Sequence, residues 1–280
     1  MMNTKEMKIF AKQIQMETVK TIGDLGVGHI GGALSVAHVL AVLYGKQMKH
    51  DPKNPKWEER DWLVVSKGHA GPAVYSALAL RGFMDMEQLK TLNRPGTKLP
   101  SHCDMNLTTG IDMTTGSLGQ GASTAAGVAL SFRMDAKDNY TYLVLGDGEI
   151  NEGQVWEMAL FAAHRKLDHL IAFIDYNKLQ LDGPTEEICA LGDVTEKFEA
   201  FGWFVQDVDG HDVEAIDKAI DIAKQRQGKP NMIVLNTVKG NGWSAIAGKA
   251  SSHNMPISEE QMNEALSQMQ AEMDEIQGEQ

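Results

Sequence analysis

The sequence predicts a single α/β domain in which a parallel β-sheet carries helices on both faces. Short apolar runs alternate with segments whose apolar residues recur at helical spacing, which is the pattern of strands joined by helical crossovers. The length of 280 residues suits one large domain, and neither an internal repeat nor a flexible linker divides the chain. Residues 1–280 are therefore predicted to form one domain.

An amphipathic helix over residues 6–22 opens the predicted fold, because apolar residues recur there at helical spacing and Gly23 follows as a stop. Residues 34–44 are almost wholly apolar and predict a buried helix. Strands and helices then alternate. The predicted strands are 62–65, 142–145, 170–174, 203–205 and 232–235, and the predicted helices are 120–132, 155–164 and 213–225. Residues 258–280 begin with the N-cap-like Ser258 and predict a terminal helix that ends in a polar tail.

The charge of the chain restricts the partners that it can bind. Acidic residues outnumber basic residues by 38 to 26, which gives a formal net charge of -12. This charge repels phosphate at long range, so we expect no tight binding to nucleic acid or to an anionic membrane surface. Two cysteines cannot form a disulfide framework, and we see neither a leader sequence nor an apolar stretch of membrane-spanning length. A cytoplasmic protein is expected.

Two strand ends carry side chains that suit a site for a metal ion and a phosphate group. Asp147 follows the strand 142–145 within a Gly-Asp-Gly triplet, and Asn177 follows the strand 170–174. Ligands of open parallel sheets bind beyond the carboxyl ends of the strands. The Asp147 carboxylate, the Asn177 amide oxygen and a loop carbonyl can hold Mg2+ or Ca2+ while a diphosphate completes the coordination. A lone Gly-Asp-Gly is commonly only a turn, but the second strand end favours the site.

Three histidines lie in loops beside glycine, proline or serine: His29, His69 and His102. Each alone is equally well explained as a structural histidine bonded to the backbone. The glycine-rich run over residues 114–121 alone could be only the start of a helix. However, the interval from Asp147 to Asn177 resembles the signature of thiamine-diphosphate enzymes. Together these motifs, in this order, look like transketolase.

The resemblance covers residues 26–256 and corresponds to the amino-terminal half of a full-length transketolase. It implies a thiamine-diphosphate-binding fold. The catalytic residues that it implies are His29, His69, His102 and His253; the cofactor-binding residues are His69, Gly116, Ser117, Leu118, Gly148, Glu149, Asn177 and His253; the metal ligands are Asp147, Asn177 and Leu179. Glu152 matches a carboxylate at the family's subunit interface, although a solvated glutamate favoured by the helix dipole is an equal alternative.

The implied activity is the transfer of a two-carbon ketol unit from a ketose, such as a sugar phosphate of the pentose phosphate pathway, to an aldose. Thiamine diphosphate supplies the electron sink, and histidine, with an ordinary pKa of about 6.5, suits the proton transfers. In this family a second domain binds the pyrimidine ring and supplies an activating glutamate. We therefore expect a partner subunit that carries that domain, most simply in an α2β2 assembly.

Two other functions remain open from the sequence. The α subunit of a 2-oxo acid dehydrogenase decarboxylase component also binds the diphosphate end of the cofactor, although the histidine trio argues against it. A non-catalytic, cofactor-binding scaffold subunit would keep the same motifs without turnover. Relatives that make deoxyxylulose phosphate rank lower, because they normally carry both domains in one chain. The donor sugar is not predicted: pentose phosphates are the default, and sulfonated or branched sugars are alternatives.

Overall fold

The computed structural model describes residues 1–278. Its strands are β1 (Val27–Gly28), β2 (Trp62–Val65), β3 (Thr141–Gly146), β4 (Leu170–Tyr176), β5 (Phe204–Asp209), β6 (Asn231–Asn236) and β7 (Met255–Pro256). Its α-helices are α1 (Thr4–Leu25), α2 (Gly31–Leu34), α3 (Ala37–Val42), α4 (Gly71–Leu80), α5 (Gln120–Met134), α6 (Gly153–His164), α7 (Thr185–Ile188), α8 (Val194–Ala200), α9 (Val213–Lys224) and α10 (Glu259–Gly278). A π-helical turn, Leu43–Gln47, follows α3, and short 3-10 turns lie at Gly68–Ala70, Met86–Thr91, Gly148–Asn151 and Ala250–His253.

Strands β2 to β6 form one parallel sheet in the order β2-β3-β4-β6-β5. Successive side chains of a strand point to opposite faces, so Tyr142 and Val144 of β3 enter one core while Leu143 and Leu145 enter the other. All four side chains are fully buried. Strands that are buried on both faces read as continuous apolar runs, which is why they could be located from the sequence. The predicted parallel sheet is confirmed.

Different helices cover the two faces of the sheet. Side chains of α1, α3, α4, α9 and α10 pack into the core on one face, and side chains of α5, α6 and α8 pack into the core on the other. Full burial of one aliphatic or aromatic side chain stabilises a fold by about 1.5–3 kcal/mol. Both helical layers are therefore main sources of stability, and the predicted covering of both faces is confirmed.

Helix α1 begins and ends beyond its predicted bounds of 6–22. Asn3 and Glu6 form a capping box, in which the Asn3 side chain accepts from the Glu6 N–H at 2.9 Å and the Glu6 carboxylate accepts from the Asn3 N–H at 2.8 Å. Gly23 does not stop the helix. A Cβ at Gly23 would lie 2.4 Å from the Met262 sulfur, so this glycine allows α10 to approach α1 closely. The stop is Gly26, whose φ of 88° is left-handed.

The prediction of a single buried helix over residues 34–44 is wrong, because the chain there is divided into α2, α3 and a π-helical turn. The break lies at Ser35 and Val36, and the Ser35 hydroxyl donates to the Asp175 carboxylate at 2.7 Å. The local pattern of apolar residues cannot predict this contact, because it joins distant parts of the chain. Helices α4, α7 and α8 were also not predicted from the sequence.

Segments near the two ends of the chain pack against each other. Strands β1 and β7 pair antiparallel, with Gly28 opposite Met255, and α10 packs along α1. The terminal helix is confirmed, whereas residues 279–280 of the predicted polar tail lie outside the described residues. Within residues 1–278, none of the helices combines the length and the apolarity needed to cross a membrane.

Candidate active site

Four histidine rings form a cluster at the carboxyl edge of the sheet. The ring centre of His29 lies 5.4 Å from that of His69, 5.8 Å from that of His102 and 5.4 Å from that of His253. The ring centres of His69 and His253 are 5.2 Å apart. The pairing of β1 with β7 brings His29 and His253 together, and the turn after β2 carries His69. The structure therefore gathers the four histidines predicted as catalytic, although they are distant in sequence.

Three of these histidines are shifted toward their neutral form. Burial is the largest cause of the lowered pKa in each case. Lys67 lowers the pKa of His69 further, to well below its ordinary value, and Lys239 contributes for His29 and for His253, whose pKa falls to about 4. A neutral imidazole has one N–H donor and one acceptor nitrogen, so each of these rings can donate one hydrogen bond and accept another near pH 7.

The glycine-rich loop before α5 packs directly against this cluster. Gly116 has a φ of 146°, and a Cβ at that position would meet the His102 ring at 3.2 Å. A Cβ at Gly68 would lie 2.8 Å from the Gly116 nitrogen, so the loop and the turn that carries His69 are in close contact. Leu118 is exposed at the rim, and Ser117 lies beside it. The predicted cofactor loop thus adjoins the histidine cluster.

Hydrogen bonds to the buried carboxylate of Glu149 fix the position of this loop. Its carboxylate accepts from the Gly119 N–H at 2.8 Å, from the Gly146 N–H at 3.0 Å and from the Ser66 hydroxyl. Burial raises the pKa of this carboxyl, and the three donors and Lys67 oppose that rise. Because both carboxylate oxygens are used inside the protein, contact with a phosphate group would come from the backbone of this turn.

A cavity of about 190 Å³ opens beside the histidines, beyond the carboxyl ends of β3, β4 and β6. Eight of the residues that the sequence nominated line it: His69, Leu118, Asp147, Gly148, Glu149, Asn177, Leu179 and His253. Residues that the sequence did not nominate complete the lining: Gly32, Lys67, Gly146, Gln180, Leu181 and Lys239. The cavity lies where ligands of open parallel sheets bind.

The predicted metal ligands offer hard oxygen atoms at this cavity. Asp147 is 3 % exposed, and its carboxylate accepts from the N–H groups of Gly148 and Lys178. Burial, followed by the nearby Asp175, raises the pKa of Asp147 to about 6, so its negative charge is poorly balanced within the protein. The Asn177 amide oxygen and the Leu179 carbonyl add neutral donors. The donor set fits a hard divalent cation.

That fit depends on the amide and carbonyl oxygens. Across residues 1–278, no three side chains of His, Cys, Asp or Glu are grouped so that they could hold a metal ion. The Leu179 carbonyl instead accepts from the Lys239 ammonium at 3.0 Å, and the Asn177 amide oxygen accepts from the Leu179 N–H at 3.1 Å. A metal ion would therefore need Asp147, these two neutral oxygens and further oxygens from a ligand.

Sequence reasoning missed a buried ion pair beneath the cavity. The Lys67 ammonium lies 2.5 Å from the Asp175 carboxylate, and the two side chains are 2 % and 0 % exposed. Burial alone would raise the pKa of Asp175, but Lys67 and the hydroxyls of Thr237 and Ser35 hold it below its ordinary value. Lys67 also donates to the Gly32 carbonyl at 2.9 Å. The pair therefore ties together the segments that present His29, His69 and Asn177.

Lys239 is another residue that sequence reasoning missed. It follows β6, a third strand that ends at this edge of the sheet, so the rule that found Asp147 and Asn177 also applies to it. Burial, and then Lys67, lowers its pKa to about 8.

Glu152, predicted at a subunit interface, is exposed at the start of α6. A Cβ at Gly119 would lie 2.9 Å from the Cβ of Glu152.

Comparison with known proteins finds matches along almost the whole chain. Residues 6–276 match the family described as transketolase, thiamine diphosphate binding domain. The 6-deoxy-6-sulfo-D-fructose transketolase subunit SqwG of Clostridium sp. (strain MSTE9) is 57% identical over 262 residues, which cover 94% of this chain and 95% of that protein. One subunit of the apulose-4-phosphate transketolase of Phocaeicola vulgatus is 34% identical over 278 residues, which cover 99% of each chain.

Solved structures show the same fold. The transketolase of Campylobacter jejuni matches with a TM-score of 0.89 and 32% sequence identity over 98% of this chain. The match covers 46% of that transketolase, so this chain spans less than half of its length.

Proposed function

Since the chain belongs to the transketolase family, we propose that it is the diphosphate- and metal-binding half of a two-subunit transketolase, with residues 1–280 as a single domain. The observation that supports this best is the cluster of four histidines beside a cavity lined by Asp147, Asn177 and Leu179. Acid–base groups and a site for a charged ligand lie side by side, as a reaction on a bound cofactor requires. An α subunit of a 2-oxo acid dehydrogenase is disfavoured by the family match.

Each group of residues has a proposed task. His29, His69 and His102 bind substrate hydroxyls and move protons, and their partial burial limits competition from water. His69 and His253 also contact the cofactor. Thiamine diphosphate, when bound, supplies an electron sink for the two-carbon unit. The backbone around Gly116 and Gly148, with Ser117 and Leu118, adjoins the diphosphate, and the proposed metal is Mg2+ or Ca2+ because both prefer oxygen ligands.

A second chain completes the proposed enzyme. The C. jejuni transketolase is more than twice as long as the matched region, and two relatives of about this chain's length are named as subunits. We propose that the partner carries the pyrimidine-binding domain and the activating glutamate in an α2β2 assembly in the cytoplasm. Glu152 is exposed in this chain, and burial in that assembly would require a partner for its charge.

The proposed donor is a sulfonated ketose. The relative named for 6-deoxy-6-sulfo-D-fructose shares 57% of its aligned residues with this chain, against 34% for the relative named for apulose 4-phosphate. Removal of a two-carbon unit from that six-carbon ketose leaves a four-carbon aldose that keeps the sulfonate. Pentose phosphates of the pentose phosphate pathway are the second candidates, because we expect the partner subunit to bind the far end of the sugar.

The test is two-carbon transfer by the chain and its partner, assayed separately and together. Thiamine diphosphate, Mg2+ and an aldose phosphate acceptor would be offered with 6-deoxy-6-sulfo-D-fructose, with xylulose 5-phosphate or with a 2-oxo acid. We expect ketol transfer only in the mixture, and fastest with the sulfonated donor. Activity of the isolated chain would contradict the two-subunit proposal, and turnover of the 2-oxo acid alone would contradict the transketolase activity.

A paired substitution tests whether the chain is only a scaffold. We expect His69→Ala to lower turnover of the assembled complex by about 10²–10⁴-fold, the usual contribution of a general acid–base group. His164→Ala, at an exposed position at the end of α6, is the matched control and should leave turnover unchanged. Equal turnover of the two variants would favour a scaffold role.

A further inference from the structure

A second pair of histidines lies behind the loop that follows β6. His38 belongs to α3 and is 8 % exposed, and His211 follows β5 and is half-buried. The two ring centres are 4.9 Å apart. Neither histidine is among the described residues that line the cavity, and the proposed chemistry gives the pair no task.

The contacts of the pair determine which ring nitrogens carry a hydrogen. The Val238 N–H donates to Nε2 of His211 at 2.8 Å, so the ring hydrogen of His211 lies on Nδ1. That Nδ1 atom is 3.3 Å from Nδ1 of His38, which must therefore accept, and His38 carries its own hydrogen on Nε2. Both rings are neutral in this arrangement, and one row of hydrogen bonds runs from Val238 through His211 to His38.

This row holds the backbone of a loop that borders the cavity. The Val238 side chain is 43 % exposed, so its packing contributes little to the position of the residue. The next residue, Lys239, lines the cavity, and the preceding Thr237 donates its hydroxyl to the Asp175 carboxylate. The His211 ring therefore anchors the centre of a segment whose neighbours on both sides belong to the site.

We propose that His211 is a positioning residue for the site: its neutral ring, oriented by His38, fixes the loop after β6, and a proton added to the pair releases that loop. Two gaps separate the three partners, and each gap holds one hydrogen in the neutral pair. A further proton on Nε2 of His211 would face the Val238 N–H. A further proton on Nδ1 of His38 would face the His211 N–H, and moving that hydrogen to Nε2 of His211 would again oppose Val238. Either protonation therefore breaks the row.

The charged groups around the pair determine when this happens. Burial lowers the pKa of both rings, and Lys12 of α1, which pairs with Glu272 of α10, lowers both pKa values further. The ring of His211 adds to the effect on its partner ring. Asp175 of β4 and Asp209 of β5 oppose the shift at His211. The row is therefore intact near pH 7, and we expect it to open at more acidic pH.

Amide hydrogen exchange and calorimetry of the assembled complex test the inference, and the calorimetric part rests on the proposed function. His211→Phe removes the acceptor of Val238. It should lower the protection of the Val238 amide, and the affinity for thiamine diphosphate at pH 8 and saturating Mg2+, by about tenfold each, since a donor without an acceptor is costly. His211→Gln offers an amide oxygen near the position of Nε2 and should restore most of both losses. His164→Phe, at an exposed position at the end of α6, is the matched control and should behave like the wild type.

The pH profile separates positioning from a general loss of stability. Between pH 8 and pH 5, the affinity for thiamine diphosphate should fall further in the wild type than in His211→Gln, whose side chain does not titrate. The histidines of the cavity titrate in both complexes, so they cancel in this comparison. Equal losses in the two complexes would overturn the inference, as would wild-type protection of the Val238 amide in folded His211→Phe.

Two controls keep the inference testable. Should melting curves show that His211→Phe folds poorly, the comparison of the wild type with His211→Gln decides alone. Absence of thiamine diphosphate binding by the wild-type complex would contradict the proposed function. Protection of the Val238 amide at the two pH values, in the wild type and in His211→Gln, would then still test the role of His211.

Discussion

The buried pair of Lys67 and Asp175 should be the most sensitive polar contact in the domain. The Asp175 carboxylate is 0 % exposed and accepts from Lys67, from Ser35 at 2.7 Å, from Asn177 at 3.1 Å and from Thr237. These donors come from four different segments around the cavity. Replacement of Lys67 by Met removes the charged donor of this set and leaves the carboxylate buried with neutral partners.

The expected loss can be estimated from the burial of the pair. Breaking a fully buried ion pair by removing one partner costs about 3–5 kcal/mol, since the remaining charge stays away from water. For a domain of this size about 1 kcal/mol corresponds to roughly 2–4 °C in melting temperature. We therefore expect Lys67→Met to lower the melting temperature by roughly 10 °C. Lys90→Met is the control, because the Lys90–Glu87 pair is 62% and 77% exposed and should contribute no measurable change.

Scanning calorimetry and urea unfolding of the two variants measure this difference. A second comparison is the double variant Lys67→Met with Asp175→Asn, which should be less destabilised than the sum of the single changes because no unpaired charge remains. The reasoning is refuted if Lys67→Met and Lys90→Met have the same melting temperature. Additive losses in the double variant would show that the two charges are not coupled.

Three further predictions concern pH, the metal and the loop. Burial, with His211, holds the pKa of His38 well below 6.5, so the unfolded chain binds a proton at His38 that the folded chain does not. This histidine alone should lower the free energy of unfolding below about pH 6.5 by up to about 1.4 kcal/mol per pH unit. His38→Gln, unlike His164→Gln, should therefore reduce the pH dependence of urea unfolding. Asp147→Asn should abolish the Mg2+ dependence of thiamine diphosphate binding in calorimetry, and retention of that dependence would exclude Asp147 as a ligand. Gly116→Ala should lower turnover and cofactor affinity, because its Cβ would meet His102 at 3.2 Å in a left-handed backbone; wild-type affinity would contradict this.

The sheet could be located from the sequence better than the helices for a physical reason. Strands of a parallel sheet are buried on both faces, so β2 and β3 appear as unbroken apolar runs with polar residues at their ends. The segment from 31 to 47 is also apolar, but its division into α2 and α3 coincides with the bond from Ser35 to Asp175. No local pattern contains that information, since the two residues lie far apart in the chain.

The site divides in the same way between local and long-range information. Asp147 and Asn177 were found because each directly follows an apolar strand, and Lys239 could have been found by the same rule. The contact of Lys67 with Asp175 joins residues 108 positions apart, and only the folded sheet shows it. The roles assigned to His29, His102 and Glu152 came from the family resemblance, and their test is still the assay of substituted complexes.

The charge of Lys239 affects the pKa values of two histidines of the cluster. Its ammonium contacts His253 and is among the causes that lower the pKa values of His253 and His29, after burial. An anion bound at Lys239 would offset this positive charge, and the pKa values of both histidines would then rise toward 6.5. A histidine is most effective in proton transfer when its pKa lies near the working pH. An anion in this cavity would therefore bring both histidines closer to that condition, because one buried charge acts on both.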